Sequence, residues 1–277
     1  MHPVLLDLGS IRIGNAVVPI QIGSYGAFFV LALIVGYLVT ARMGKRYDAK
    51  ADWAGFLWTS YVIGFVGAKL LNLLVFLPAI MRHEVSWIGV AMGGGVWFGG
   101  VIPAYLYCWW YCSRHNLPFG TVANFLGVAI PAAHAFGRIG CFLGGCCYGA
   151  TTTSWLSVTY HSELAHTLMK TPLDTPLHPT QLYEAAAEWM NAGVGFLLWK
   201  RGVPQWFLTG LWMTLYGVER FFIEFLRNDL RGGLGPFSTS QWIAILLVAA
   251  GIPLMIWARR RNVPEWPVIP AKAVGAK

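Results

Sequence analysis

Charge is scarce in this chain. Of its 277 residues only 12% are Asp, Glu, Lys or Arg, about half of what a soluble domain carries. Acidic residues are the scarcer sign, 12 against 20 basic. The formal net charge of +8 raises nucleic acid as a partner. That class is excluded because the Lys and Arg sit beside apolar runs and no basic stretch is interleaved with a soluble fold. Cysteine is also sparse. The five cysteines fall as Cys108 with Cys112 and Cys141 with Cys146 and Cys147, which is neither a secreted disulfide framework nor a paired zinc module. Met1 to Ile20 lacks a basic segment followed by an apolar core, so no cleavable signal peptide is expected. No internal repeat stands out, which disfavours an inverted-repeat transporter.

What fills the chain is apolar surface: 56% of residues are hydrophobic and 14 are Trp. A helical crossing needs ~20 apolar residues, and the length accommodates about seven. The predicted spans run from about Gln21 to Thr40, Trp53 to Ile80, Ile88 to Tyr111, Thr121 to Phe142, Leu182 to Trp199, Trp206 to Leu226 and Ser240 to Trp257. Basic residues follow alternate spans: Arg42, Lys45, Arg46 and Lys50, then Arg114, then Lys200 and Arg201, then Arg259 to Arg261. The positive-inside rule puts those loops in the cytoplasm. The expectation is an all-α integral membrane protein of seven transmembrane helices, N-terminus outside and C-terminus cytoplasmic. It forms one polytopic domain, 1–277, with an outer N-terminal arm (1–20) and an outer segment (143–179).

Several polar groups lie inside these spans, each costing at least ~2.5 kcal/mol at a helix centre. Lys69 and Glu188 are read as members of internal ion pairs or as snorkelling groups, with Glu188 one turn past Glu184 and facing a basic group. In "YGVERFFIEF", Tyr216, Arg220 and Glu224 repeat every four residues and share a face, so that Arg220 can pair with Glu224. His134, Arg138 and Cys141 share a face of the fourth span. Two buried guanidiniums on one cavity make a fork for phosphate oxygens, and in a membrane the obvious phosphate is a lipid headgroup.

The run "HAFGRIGCFLGGCCYG", His134 to Gly149, leaves three readings of its cysteines: small apolar packing at a tight corner, a disulfide, with Cys141–Cys146 favoured over the strained adjacent pair Cys146–Cys147, or a metal site using His134. Four good ligands at a sensible spacing are lacking, so no metal and no cofactor is expected. The glycines of "GGGVWFGG", Gly93 to Gly100, serve close helix packing or close approach of backbone to a ligand. "HPTQLYE", His178 to Glu184, is a Pro-marked helix start.

These blocks together resemble the prolipoprotein diacylglyceryl transferase family. "GRIGCFLGGCCYG" at Gly137 to Gly149 is similar to the family signature G-R-x-G-N-F-x-N-x-E-x-x-G, "HPTQLYE" to its HPSQLYE, and "YGVERFFIEFLR" to its YG-x-x-R-x-x-x-E-x-x-R block. "STSQ" at Ser238 to Gln241 resembles S-M-G-Q, "GSYG" with Tyr25 resembles the WYG segment, and "GAKL" at Gly67 to Leu70 resembles G-A/G-R-L/I. The resemblance implies transfer of a diacylglyceryl group from phosphatidylglycerol to the lipobox cysteine of a prolipoprotein, releasing glycerol phosphate. It implies a bacterial inner-membrane location with the site on the periplasmic side, and membrane lipids and a prolipoprotein signal peptide as partners. Carried over, Arg138 and Arg220 match arginines that bind the headgroup and are needed for transfer. Tyr25, Gly99, Gly100, Gln181, Tyr216 and Glu224 match site-lining positions, and Cys141 and Gly149 occupy signature positions of the same binding set.

The departures from the family pattern are specific. Phe98 stands where the family's F-H-G-G loop has a histidine, and Cys141, Gly144 and Cys146 replace the signature asparagines and glutamate. Thiol chemistry requires a base, and His134, one turn from Arg138, is expected to substitute. The other reading of His134 is a packing histidine bonded to a carbonyl. Loss of the loop histidine motivates an alternative function, a non-catalytic relative that binds lipid or lipoprotein. A small-solute channel is a third class, disfavoured by the asymmetric layout.

Overall fold

A computed structural model describes residues 3–13, 16–48, 50–92, 95–227 and 233–263. The chain opens on an antiparallel hairpin, β1 (Val4–Ile13) with β2 (Ala16–Gly23). Helices α1 (Ser24–Tyr47), α2 (Trp53–Met81), α3 (Trp87–Met92), α4 (Trp97–Arg114) and α5 (Phe119–Gly144) follow. The segment after α5 contains β3 (Val158–Thr159), α6 (Glu163–Met169) and β4 (Pro176–Leu177). Helix α7 (Thr180–Arg201), helix α8 (Phe207–Ile223) with a 3-10 turn at Glu224–Leu226, the strands β5 (Gly233–Leu234) and β6 (Phe237–Ser238), and α9 (Thr239–Arg261) complete it.

The protein is therefore mostly helical rather than all-α. The N-terminal arm is a hairpin because Val, Ile and Leu recur in a run too short and too interrupted for a span. The predicted third span is divided between α3 and α4; Gly93 and Gly94 lie outside the described residues, as does the tail from 264 onwards. Among the described residues, four helices are long and apolar enough to cross a membrane: α1, α2, α5 and α9. Helix α8 is 17 residues long, and α7 carries two carboxylates in its first half.

The chain divides into two compact units, one of residues 1–40 with 123–277 and one of residues 41–122. In the second unit, α2 and α4 approach through glycines. A Cβ on Gly99 would lie 2.5 Å from Leu71 Cβ, and one on Gly100 would lie 2.7 Å from the Gly64 carbonyl oxygen. The packing role of this run is thus visible, and only glycine permits it. Asn72 Nδ2 donates to the Val90 carbonyl at 3.0 Å and ties α3 to α2. Lys69 lies over the Phe65 ring, 5.6 Å from its centroid.

In the first unit, α8 and α9 are joined by the same device: a Cβ on Gly217 would lie 2.7 Å from the Ala244 carbonyl oxygen. The start of α8 is fixed by fully buried Asn124 of α5, whose Nδ2 donates to the Pro204 carbonyl at 2.9 Å and whose Oδ1 accepts from the Leu208 amide at 2.8 Å. These contacts set α5, α7, α8 and α9 around a common interior.

Candidate active site

That interior contains Arg138 of α5, Glu184 and Glu188 of α7 and Arg220 of α8. Glu184 is a turn into α7 and 2% exposed. Arg138 of α5 donates through Nη2 to its Oε1. Arg220 of α8 donates through Nη1 to the same oxygen at 3.2 Å, and Arg227, just past α8, through Nη1 at 3.5 Å. Three guanidiniums from two helices and a loop thus converge on one carboxylate oxygen. Arg220 also pairs with Glu224 at 2.7 Å, the four-residue spacing read from the sequence, and reaches Ser240 Oγ at 3.3 Å. Ser238 Oγ donates to the other Glu224 oxygen at 2.7 Å while accepting from the Gln241 amide at 3.2 Å. The capping box that starts α9 therefore also holds Glu224 against Arg220. Among the described residues, the buried Arg138 Nε has no acceptor, a costly arrangement for a charged donor.

One helical turn deeper, His134 Nδ1 lies 2.6 Å from Glu188 Oε1, and Glu188 is fully buried. Glu188 faces a basic group, as its position after Glu184 predicted. The histidine is bonded to a carboxylate rather than to a carbonyl. The Tyr216 ring lies edge-on to His134, with centroids 5.8 Å apart, and stacks on Trp212. Asn191 Nδ2 reaches Glu188 Oε2 at 3.5 Å and Glu219 Oε2 at 3.4 Å.

The corner after α5 borders this cluster. Arg138 Nη1 is 3.9 Å from Cys141 Sγ. All five cysteines are free thiols, and the sulfurs of Cys141, Cys146 and Cys147 lie within 4.8 Å of one another. Thiol donation from Cys141 and Cys146, with Arg138 and Arg227 nearby, holds the Cys147 thiol below its usual range. Gln181 Nε2 donates to the Cys146 carbonyl at 2.7 Å and to the Tyr160 hydroxyl at 3.1 Å; burial pushes that phenol up to about 12, so it stays a neutral hydrogen-bonding group. Gly149 faces backbone on two sides: a Cβ there would lie 2.6 Å from the Leu226 carbonyl oxygen and 2.8 Å from that of His178. It bridges to Arg227, and so places the third arginine. Tyr25 of α1 packs on the same corner, its Cβ 3.6 Å from where a Gly144 side chain would begin.

Of the residues expected from sequence, Arg138, Arg220, His134, Tyr216, Glu224, Cys141, Gln181, Gly149 and Tyr25 thus belong to one connected neighbourhood. Gly99 and Gly100 belong to the other unit, and the side chain of Phe98 lies outside the described residues. The shared acceptor Glu184 and its third donor Arg227 were absent from the expected set. Both carried a signal: Glu184 closes "HPTQLYE", and Arg227 closes "YGVERFFIEFLR".

Fold and site define a mostly helical, multi-span membrane protein with a buried guanidinium–carboxylate cluster. The profile of the prolipoprotein diacylglyceryl transferase family matches residues 12–257, and the chain belongs to that family. It is similar to a phosphatidylglycerol–prolipoprotein diacylglyceryl transferase of Clostridium tetani (strain Massachusetts / E88), 30% identical over 259 residues, covering 91% of this chain and 96% of the relative. A second such enzyme, numbered 2, from Clostridium perfringens (strain 13 / Type A) is 32% identical over 85% of this chain and 90% of its own. One from Pseudomonas paraeruginosa (strain DSM 24068 / PA7) is 28% identical over 96% of both.

Proposed function

We propose that this chain carries out its family's reaction, moving the diacylglyceryl group of phosphatidylglycerol to the lipobox cysteine of a prolipoprotein, with the Arg138–Arg220–Arg227 cluster as the headgroup site. The observation that carries this reading is the convergence of three guanidiniums on Glu184, with the buried Arg138 Nε left over as a donor. Fixed cationic donors in a dry interior supply the charge stabilisation that a leaving phosphate needs. Beside them, an apolar groove of about 530 Å³ between α8 and α9, lined by Gly217, Phe221, Ala244 and Val248, suits an acyl chain.

His134 is the base. Its Nδ1–H donates to buried Glu188, leaving Nε2 as the acceptor, by the same logic that orients a catalytic histidine through a buried carboxylate. The lipobox thiol gives its proton to Nε2. The thiolate sulfur then forms a bond to glycerol C3 as the C3–O bond breaks, and the electron pair of that bond leaves on glycerol phosphate, held by the arginines. A thioether remains on the lipoprotein. The chain crosses the bacterial inner membrane seven times, through α1, α2, the α3–α4 pair, α5, α7, α8 and α9. Its N-terminus and this site are on the periplasmic side and its basic loops are in the cytoplasm.

The test uses the full chain in phosphatidylglycerol-containing vesicles with a lipobox peptide. A diacylglyceryl mass increment on the peptide cysteine supports the reading, and its absence with properly inserted protein overturns it. Growth rescue of a transferase-depleted bacterium checks the same activity in cells.

A further inference from the structure

The three-cysteine corner lies outside the reaction just described, because neither the headgroup nor the base requires a thiol on the enzyme. Its sulfurs nevertheless gather: Cys141, Cys146 and Cys147 Sγ all lie within 4.8 Å of one another. A metal bound by thiolates at ~2.3 Å in a trigonal plane requires sulfurs about 4 Å apart, so the corner already has that size.

The backbone fixes it there. Three consecutive carbonyls are each tied by a side chain from elsewhere: Gly145 by Thr171 Oγ1 at 2.7 Å, Cys146 by Gln181 Nε2 at 2.7 Å, and Cys147 by Thr180 Oγ1 at 2.9 Å. The Cys146 amide donates to the Cys141 carbonyl at 3.1 Å. Gly145 and Cys147 both take positive φ, 83° and 63°; for a cysteine that is an uncommon conformation held by its surroundings. Two of the three cysteines are partly exposed residues, which gives an ion a way in, and Arg138 at 3.9 Å from Cys141 offsets anionic charge.

We propose that Cys141, Cys146 and Cys147 form a three-sulfur site for a soft, low-coordinate thiophilic metal ion, with copper(I) the ion whose preferences three thiolates and, among the described residues, no fourth ligand satisfy. Thiolates select soft ions, whereas structural zinc takes four ligands. Binding involves no electron transfer: the ion enters as copper(I), and each ligating thiol releases its proton to solvent. The site borders the arginine cluster but supplies no group to the transfer reaction, and its test does not depend on that activity.

The experiment titrates copper(I) into the reduced full-length protein in detergent, without oxygen, against a chromophoric copper(I) chelator. The expected result is one copper withdrawn per chain, abolished in Cys146→Ser and in Cys147→Ser and retained when Cys108 and Cys112 are both changed to Ser. Should Cys141→Ser fail to fold, the two loop variants still decide, together with protection of Cys146 and Cys147 from alkylation by bound copper. No withdrawal, withdrawal unaffected by the loop variants, or an as-isolated intact mass two hydrogens low and restored by reductant would overturn the proposal.

Discussion

The imidazole Nδ1 of His134 and the Oε1 of Glu188 are 2.6 Å apart, and the carboxylate has no exposure to solvent. A buried carboxylate bonded to one ring nitrogen fixes both the ring's orientation and the tautomer, and so decides which nitrogen is free to accept a proton.

His134→Ala is therefore expected to lower transfer by about 10²–10⁴-fold, the range for losing a positioned base. Glu188→Gln should lower kcat more than it raises KM, because an amide can donate to Nδ1 and leave the proton on Nε2. Steady-state transfer to a lipobox peptide measures both. Unchanged turnover in His134→Ala would return the residue to a packing role.

Arg138→Lys is expected to fail almost as badly as Arg138→Ala. A lysine keeps the charge but loses the planar fork and the Nε donor that the site leaves unpaired. A loss of about 10²–10³-fold, typical of removing one stabilising donor, should appear in kcat with insertion into the membrane unaltered. Full activity in the lysine variant would show that charge alone suffices.

Ser238→Ala removes the cap of α9 and one oxygen contact of Glu224 together. About 1 kcal/mol of stability is at stake from the cap. The expected signature is a lowered melting temperature in detergent accompanied by reduced transfer, whereas a cap without a tie to Arg220 would change stability only.

Gly99→Ala introduces a Cβ against Leu71 and the Gly67 carbonyl. Overpacking of this kind costs typically 1–3 kcal/mol. The melting temperature of the purified protein should fall accordingly, while the same change at Gly137, which faces open space within α5, should not lower it.

Much of this arrangement was legible in the sequence because membrane burial makes charge conspicuous. Arg138, Arg220 and Glu224 stood out as charges inside apolar runs, and helical spacing put Glu224 beside Arg220. Glu184 was visible as a charge, but its place as a shared acceptor depends on how α5, α7 and α8 come together. No periodicity within one helix encodes that. Arg227 was hidden for a different reason: it follows a 3-10 turn and a glycine contact at Gly149, where helical spacing no longer applies. The break between α3 and α4 and the N-terminal hairpin were missed because hydropathy registers apolar content more readily than backbone geometry.

If the cluster is the headgroup site, as proposed, Glu184 holds the guanidiniums that an arriving phosphate would claim, and the cluster has a resting occupant. Headgroup affinity then becomes the difference between two anions competing for the same guanidiniums, rather than the full strength of either. Capture would then be weaker than three arginines suggest. In return, under the same proposal, a carboxylate that regains its three guanidiniums as glycerol phosphate departs would favour product release and restore the neutral cluster.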